Sequence, residues 1–297
     1  MQLITLIAAR RLCLIGVCLM LSVAVTTTAA AQSPPDPAQV AGAESKVVRQ
    51  KAAEEDDGVL NLAEPDVVVV NLPTGMRMPR LKGNFRLTHR FTGNLRRGSF
   101  GQQLGNLFGL DQGAVIGFEY RVAVVPHVQA AFYRSSFGKT IQLHGAFEAL
   151  RQRESMPVAM SALVSIEGTD NFRDEYSPSI GVVASRRIGT RVAAYVTPIW
   201  VDNTAASLDS QRSTMFVGVG GRLRLAGTTY VAAEIAPRTA GYAPDEPVYG
   251  ISIEKRAGGH TFSLTFTNSF GTTYAQIARG GAASTLFLGF NLGRKFY

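Results

Sequence analysis

In the C-terminal stretch 284–297 apolar residues fall on every second position. Leu286, Leu288, Phe290, Leu292 and Phe296 share one side, and Thr285, Gly289, Asn291, Gly293 and Lys295 take most of the other. A period of two is that of a β-strand with one oily face and one wet face. The same alternation runs through the chain from Asn84 onward. Phe85, Leu87, His89 and Phe91 alternate with Arg86, Thr88 and Arg90, and Ala114, Ile116, Phe118, Tyr120 and Val122 with Gly117, Glu119 and Arg121. Further segments follow at residues 128–132, 141–149, 158–166, 180–186, 192–200, 215–225, 230–236, 248–255 and 261–267. About twelve strands result, several of them near the roughly 9–11 residues that a tilted membrane strand needs.

The gaps between strands carry a second signal. Long gaps at 92–112, 167–177, 202–213, 237–247 and 270–283 alternate with short ones at 124–126, 188–190, 226–228 and 257–259, and 135–138 is an unusually tight outer loop. Membrane barrels join their strands by short periplasmic turns and longer outer loops. A soluble sandwich also alternates along each strand, but it gives no reason for loop lengths to alternate and puts more charge on its exposed face. Here the polar face is mostly Thr, Ser, Gly, Ala and Gln. The expected fold is therefore all-β: an antiparallel up-and-down transmembrane β-barrel of about twelve strands over residues 81–297.

The N-terminus differs. Arg10 and Arg11 precede an apolar run at 12–25 and small residues at Ala29 and Ala31. This order predicts a secretory signal peptide over 1–31, cut after Ala31. The run is shorter than the roughly 20 residues a spanning helix needs, and no later segment is long enough either. A chain without such a helix can satisfy its backbone in lipid only as a closed barrel. Both cysteines, Cys13 and Cys18, fall in the leader, so the mature chain is expected to hold neither a disulfide nor a thiolate metal site. Removing the leader lowers the formal charge from +8 to +6, and with arginines scattered along an exported chain nucleic acid is not an expected partner. Residues 32–80 read as a periplasmic extension, partly disordered or helical. Its acidic run, Glu54-Glu55-Asp56-Asp57, reads as solvated, and its valine run at 66–72 as an added strand or a plug at the barrel's periplasmic end.

Several short motifs resemble a family of bacterial β-barrels, the domain of unknown function 5777. They are Val69-Val70-Asn71-Leu72-Pro73-Thr74, Thr88-His89-Arg90-Phe91, Phe108-Gly109-Leu110-Asp111 leading into 114–120, Arg134-Ser135 with Lys139-Thr140, and Leu150-Arg151-Gln152 before Pro157. The resemblance covers about 66–297. It implies location and architecture, and brings no substrate or catalytic residues with it. One departure is that Phe296 is in phase with the apolar face while the terminal Tyr297 is not.

Chemistry for catalysis is sparse. His89, His127, His144 and His260 form no metal-binding spacing, and there is no Gly-x-Ser-x-Gly elbow. Gly218, Gly220 and Gly221 lie within a strand pattern, where they read as curvature or a bulge. Asp170, Asn171, Asp174 and Glu175 read as a solvated outer loop. The informative set is the charged residues expected on the inward face: Arg86, Arg90, Glu119, Arg121, Arg222, Arg224, Glu234 and Glu254. Charges in a narrow lumen must meet water or one another. They either brace a closed barrel as Arg–Glu ladders or line a water path that favours anions.

The sequence thus leads to an outer-membrane barrel with a passive or structural role, a narrow pore for small anionic solutes or a scaffold for a partner. It is expected to carry no enzymatic activity and no cofactor. Its expected partners are outer-membrane lipid, lipopolysaccharide and, through the C-terminal strand, the barrel-assembly machinery. A secreted soluble barrel holding an apolar ligand is the alternative, and an outer-membrane lipid hydrolase the second.

Overall fold

The computed structural model describes residues 62–204 and 212–297. The expected signal peptide, 1–31, and residues 32–61 of the expected extension lie outside the described residues. The strands are β1 (Gly83–Asn94), β2 (Ala114–Val125), β3 (Val128–Ser135), β4 (Ile141–Leu150), β5 (Ala159–Gly168), β6 (Asp174–Ile188), β7 (Val192–Val201), β8 (Thr214–Ala226), β9 (Thr229–Ala236), β10 (Arg238–Gly241), β11 (Val248–Ala257), β12 (His260–Thr267) and β13 (Phe287–Lys295). Each pairs antiparallel with its neighbour, β9 passes on to β11, and β13 returns to β1 with Asn84 opposite Lys295 and Leu87 opposite Leu292. Twelve strands close the ring. β10 continues the β9 arm beyond Pro237 and stays paired to β8, Arg238 lying opposite Phe216. Proline has no N–H for the ladder, so it divides the arm, while its carbonyl still accepts from Val217 N (3.0 Å).

Closure leaves no edge whose N–H and C=O groups would be stranded in hydrocarbon. The two faces then sort as lipid requires. On β11, Ile251 and Ile253 are about half exposed, whereas Ser252 and Glu254 are buried. Phe118, Leu143, Val164, Ile180, Phe262 and Leu264 continue the exposed apolar belt around the wall. A soluble barrel holding an apolar ligand needs the reverse, its oily face inside. So large an apolar surface is stable only when covered, and here hydrocarbon covers it.

At one end the strands are joined by residues 126–127, 151–158, 189–191, 227–228 and 258–259, and at the other by 95–113, 136–140, 169–173, 202–213, 242–247 and 268–286. Two connections depart from the expected rhythm. The gap expected to be long at 167–177 shrinks to residues 169–173. Asp170 and Asn171 turn there with φ of 44° and 61°, a left-handed conformation that these side chains tolerate. At the other end, 151–158 is longer than its neighbours. It is pinned by Gln152, which donates to Arg187 O (2.7 Å) and accepts from Arg187 N (2.8 Å).

Two short helices sit in the longest loops. α1 (Phe100–Gly105) is started by a Ser99–Gln102 capping box and α2 (Tyr274–Arg279) by a Thr273–Gln276 box. α1 stays exposed, but Tyr274 to Ala278 of α2 are buried. Of the expected extension, residues 62–78 are packed inside the ring. Ala63, Val69 and Leu72 join Tyr195, Ile199 and Phe216 of the wall, together with Tyr274 and Ile277 of α2, in one apolar cluster. Val67, Val68, Met76 and Met78 form a second with Ala123, against which Tyr297 packs. This inward seat explains why the terminal Tyr297 is out of phase with the oily face.

Candidate functional site

The site is the filled lumen, and its centre is the valine run. β-Branched residues favour extended backbone, so 67–74 makes a tight hairpin: Val69 N donates to Leu72 O (2.8 Å) and Thr74 N to Val67 O (3.0 Å). Its tip then presents three successive amides. Val70 N, Asn71 N and Leu72 N all donate to the Glu234 carboxylate of β9, at 2.9–3.0 Å. Consecutive N–H groups aimed at one point make an anion-binding concavity, and here the wall supplies the anion.

The hairpin's carbonyls are answered as well. Arg222 of β8 grips Glu254 of β11 through two bonds (2.7 and 3.1 Å) and also donates Nη2 to Val68 O (2.7 Å). Asn291 donates to Val70 O (3.0 Å), Thr261 to Pro65 O (3.2 Å), and Lys295 reaches the same carbonyl. Arg90 spans from hairpin to wall, donating to Asn71 Oδ1 and Asn291 Oδ1 (2.9 Å each). Each such bond is modest, but leaving the buried groups unmade is expensive, so the set acts as a latch.

Glycines make the room. A Cβ at Gly218 would come 2.7 Å from the Leu72 methyls, one at Gly220 3.2 Å from Val69, and one at Gly250 3.0 Å from Val70. They mark close approach of the hairpin rather than curvature. Above the hairpin, Glu119 gathers Arg86 (2.9 Å), Arg121 (3.1 Å) and His144 (3.6 Å). His144 meets Tyr274 edge-on, and α2 is tied to the wall by Gln276 to Thr140 (3.0 Å) and by Ala275 N to Glu167 (3.2 Å).

Of the residues expected on the inward face, Arg86, Glu119 and Arg121 therefore come together. Arg222 and Glu254 form a second group, and Arg90 and Glu234 hold the hairpin. Arg224 is apart: half-buried at the rim, it donates to the carbonyl of Gly227 in the β8–β9 turn (2.6 Å). Sequence reasoning missed Asn71, Asn291 and Lys295. The usable signal was glycine at inward positions 218, 220 and 250, facing a valine run with no strand partner of its own. Outside the strands, burial holds the Glu64 carboxyl above the usual carboxylate range against the pull of Arg187, and pushes the Tyr274 phenol up to about 12.

The histidines have other work. His127 Nδ1 lies 3.0 Å from Glu148, His260 pairs with Arg294 (3.1 Å), and His89 stacks on Phe290.

The sequence profile of the membrane bound beta barrel domain matches residues 66–296, so it takes in the hairpin as well as the ring. The chain belongs to this family, the domain of unknown function 5777. No curated protein matches this family member in sequence. Its fold is similar to that of an outer membrane channel from Pseudomonas putida, with a TM-score of 0.50 and 10% identity, covering 74% of this chain and 97% of the channel. An outer membrane protein of Acinetobacter baumannii gives 0.41 and 12%, covering 73% and 98%. The outer membrane phospholipase A of Escherichia coli gives 0.43 and 7%, covering 80% and 98%. At these identities the likeness is one of fold.

Proposed function

We propose that this barrel sits in the outer membrane and is a narrow channel for small solutes, held shut by the 67–74 hairpin of its inner segment 62–78. The observation that carries the reading is the Glu234 latch, in which one wall carboxylate takes three hairpin amides. Any buried hairpin needs its amides paired, but here three of them rest on one side chain, so a change at Glu234 frees them together. A segment fastened by hydrogen bonds can be released by changing their partners, and solute then passes where the hairpin lay. Export by the 1–31 leader and insertion through the C-terminal strand by the assembly machinery belong to the same reading. So does its periplasmic assignment of the 32–61 segment, which leads into the hairpin.

Planar-bilayer recording tests it. Wild type is expected to be closed for most of the time with brief openings, and Glu234→Ala, which strands the three amides, to raise the open fraction at least tenfold. Barrels that insert, migrate heat-dependently on a detergent gel and yet never conduct in either form would refute the channel.

A further inference from the structure

Four residues of β1 face inward in succession, Asn84, Arg86, Thr88 and Arg90, none more than 3% exposed. Their surroundings are short of negative charge. Arg90 donates only to amide and carbonyl oxygens, those of Asn71, Asn291, His89 and Phe290; among the described residues no carboxylate bonds it. Glu234 is taken by the hairpin amides and Glu254 by Arg222. Arg86 gives one nitrogen to Glu119, which Arg121 and His144 share. Asp66, across the ladder over Gly293, accepts from the Val67 amide (2.7 Å).

That leaves donors without acceptors. Nε and Nη1 of Arg86, Nε of Arg90 and Nδ2 of Asn84 have none among the described residues. A buried guanidinium N–H without a partner costs more than an ordinary hydrogen bond is worth. Three such nitrogens and the Asn84 amide along one strand face, with three arginines set against Glu119 and Asp66, are the chemistry of an anion site. The Cα atoms of Arg86 and Arg90 lie about 13 Å apart at the rise of a strand; Arg86 reaches Glu119 on β2 and Arg90 reaches Asn291 on β13, so the nitrogens left over are spread along the strip between the two neighbouring strands.

We propose that this strip of β1, centred on Arg86 and Arg90, binds a small inorganic anion, an oxyanion or a halide. Its place as a station for permeating anions rests on the channel reading above; the binding itself does not. Of the arginines expected to line a path for anions it picks out Arg86 and Arg90, since Arg222 is bound to Glu254 and the hairpin and Arg224 stands at the rim.

Isothermal titration of the folded barrel in detergent tests it, with sulfate, phosphate and chloride each added against a gluconate background at constant ionic strength. Wild type is expected to bind at least one of the three saturably. Arg86→Gln and Arg90→Gln should weaken that binding roughly tenfold or more, Arg224→Gln less than twofold, and Arg90→Lys, which keeps the charge and loses the fork, should fall between. Heats that never saturate in wild type mean that water alone serves the strip, and overturn the proposal. So does unchanged affinity in Arg86→Gln and Arg90→Gln; if those two do not fold, unchanged affinity in Arg90→Lys overturns it. Saturable binding in a barrel that never conducts keeps the site and rejects the channel.

Discussion

Arg222 shows at a single residue how the interior trades charge for fixed geometry. It is fully buried and bound to Glu254 at 2.7 Å, while its Nη2 also reaches the hairpin. Removing one partner of such a pair leaves a buried charge alone, which costs about 3–5 kcal/mol, whereas replacing both by apolar groups is often neutral. Arg222→Met is therefore expected to lower urea resistance in detergent by about that amount, and the double variant Arg222→Met, Glu254→Leu to recover most of it. A single variant as stable as wild type would mean that the pair is not buried. Gly218 carries the complementary constraint. Gly218→Val drives a side chain into the space of Leu72, so it should lift the hairpin and raise the open fraction, and Leu72→Ala in the same chain should reverse both effects. Such positions are half-legible in sequence. The charges advertise an inward face, but which arginine meets which glutamate depends on register between strands far apart in the chain.

The ring itself was legible element by element, because a strand wet on one side and oiled on the other writes its period into the residues. About twelve strands were expected over 81–297 and twelve close the ring. The short arm after Pro237 and the tight 169–173 turn were hidden, since proline and the Asp170-Asn171 pair signal a break without saying that pairing resumes. The hairpin was least legible, because its run of valines has no alternation and its partners are scattered over β1, β8, β9, β11 and β13. Glu64, just before it, adds a pH response. Burial raises this carboxyl above its unfolded value, so the folded hairpin favours the protonated form. Docking is then firm in acid and weakens as pH climbs from the ordinary carboxylate range through the raised value. Open fraction should rise over that interval in wild type, and Glu64→Gln should flatten the rise. A profile identical in both would exclude Glu64 as its origin.

On the scale of the whole molecule, lipid covers the outer face and the chain's own segments fill the inner one. The family match from residue 66 spans both. The hairpin enters between β1 and the far wall, α2 folds in from the other end, and one apolar cluster joins them. In a channel held shut in this way, solute cannot pass while the hairpin is seated. Val70 and Gly250 allow that to be tested directly, because a Cβ at Gly250 would lie 3.3 Å from that of Val70, close to the roughly 3.5–4.5 Å of a disulfide. With Cys13 and Cys18 both in the expected leader, Val70→Cys with Gly250→Cys adds the one bond needed. The decisive measurement is the single-channel current of this variant before and after reduction. Silence while oxidised, with openings that return on adding reductant, is the predicted result; equal current in both states would contradict the account.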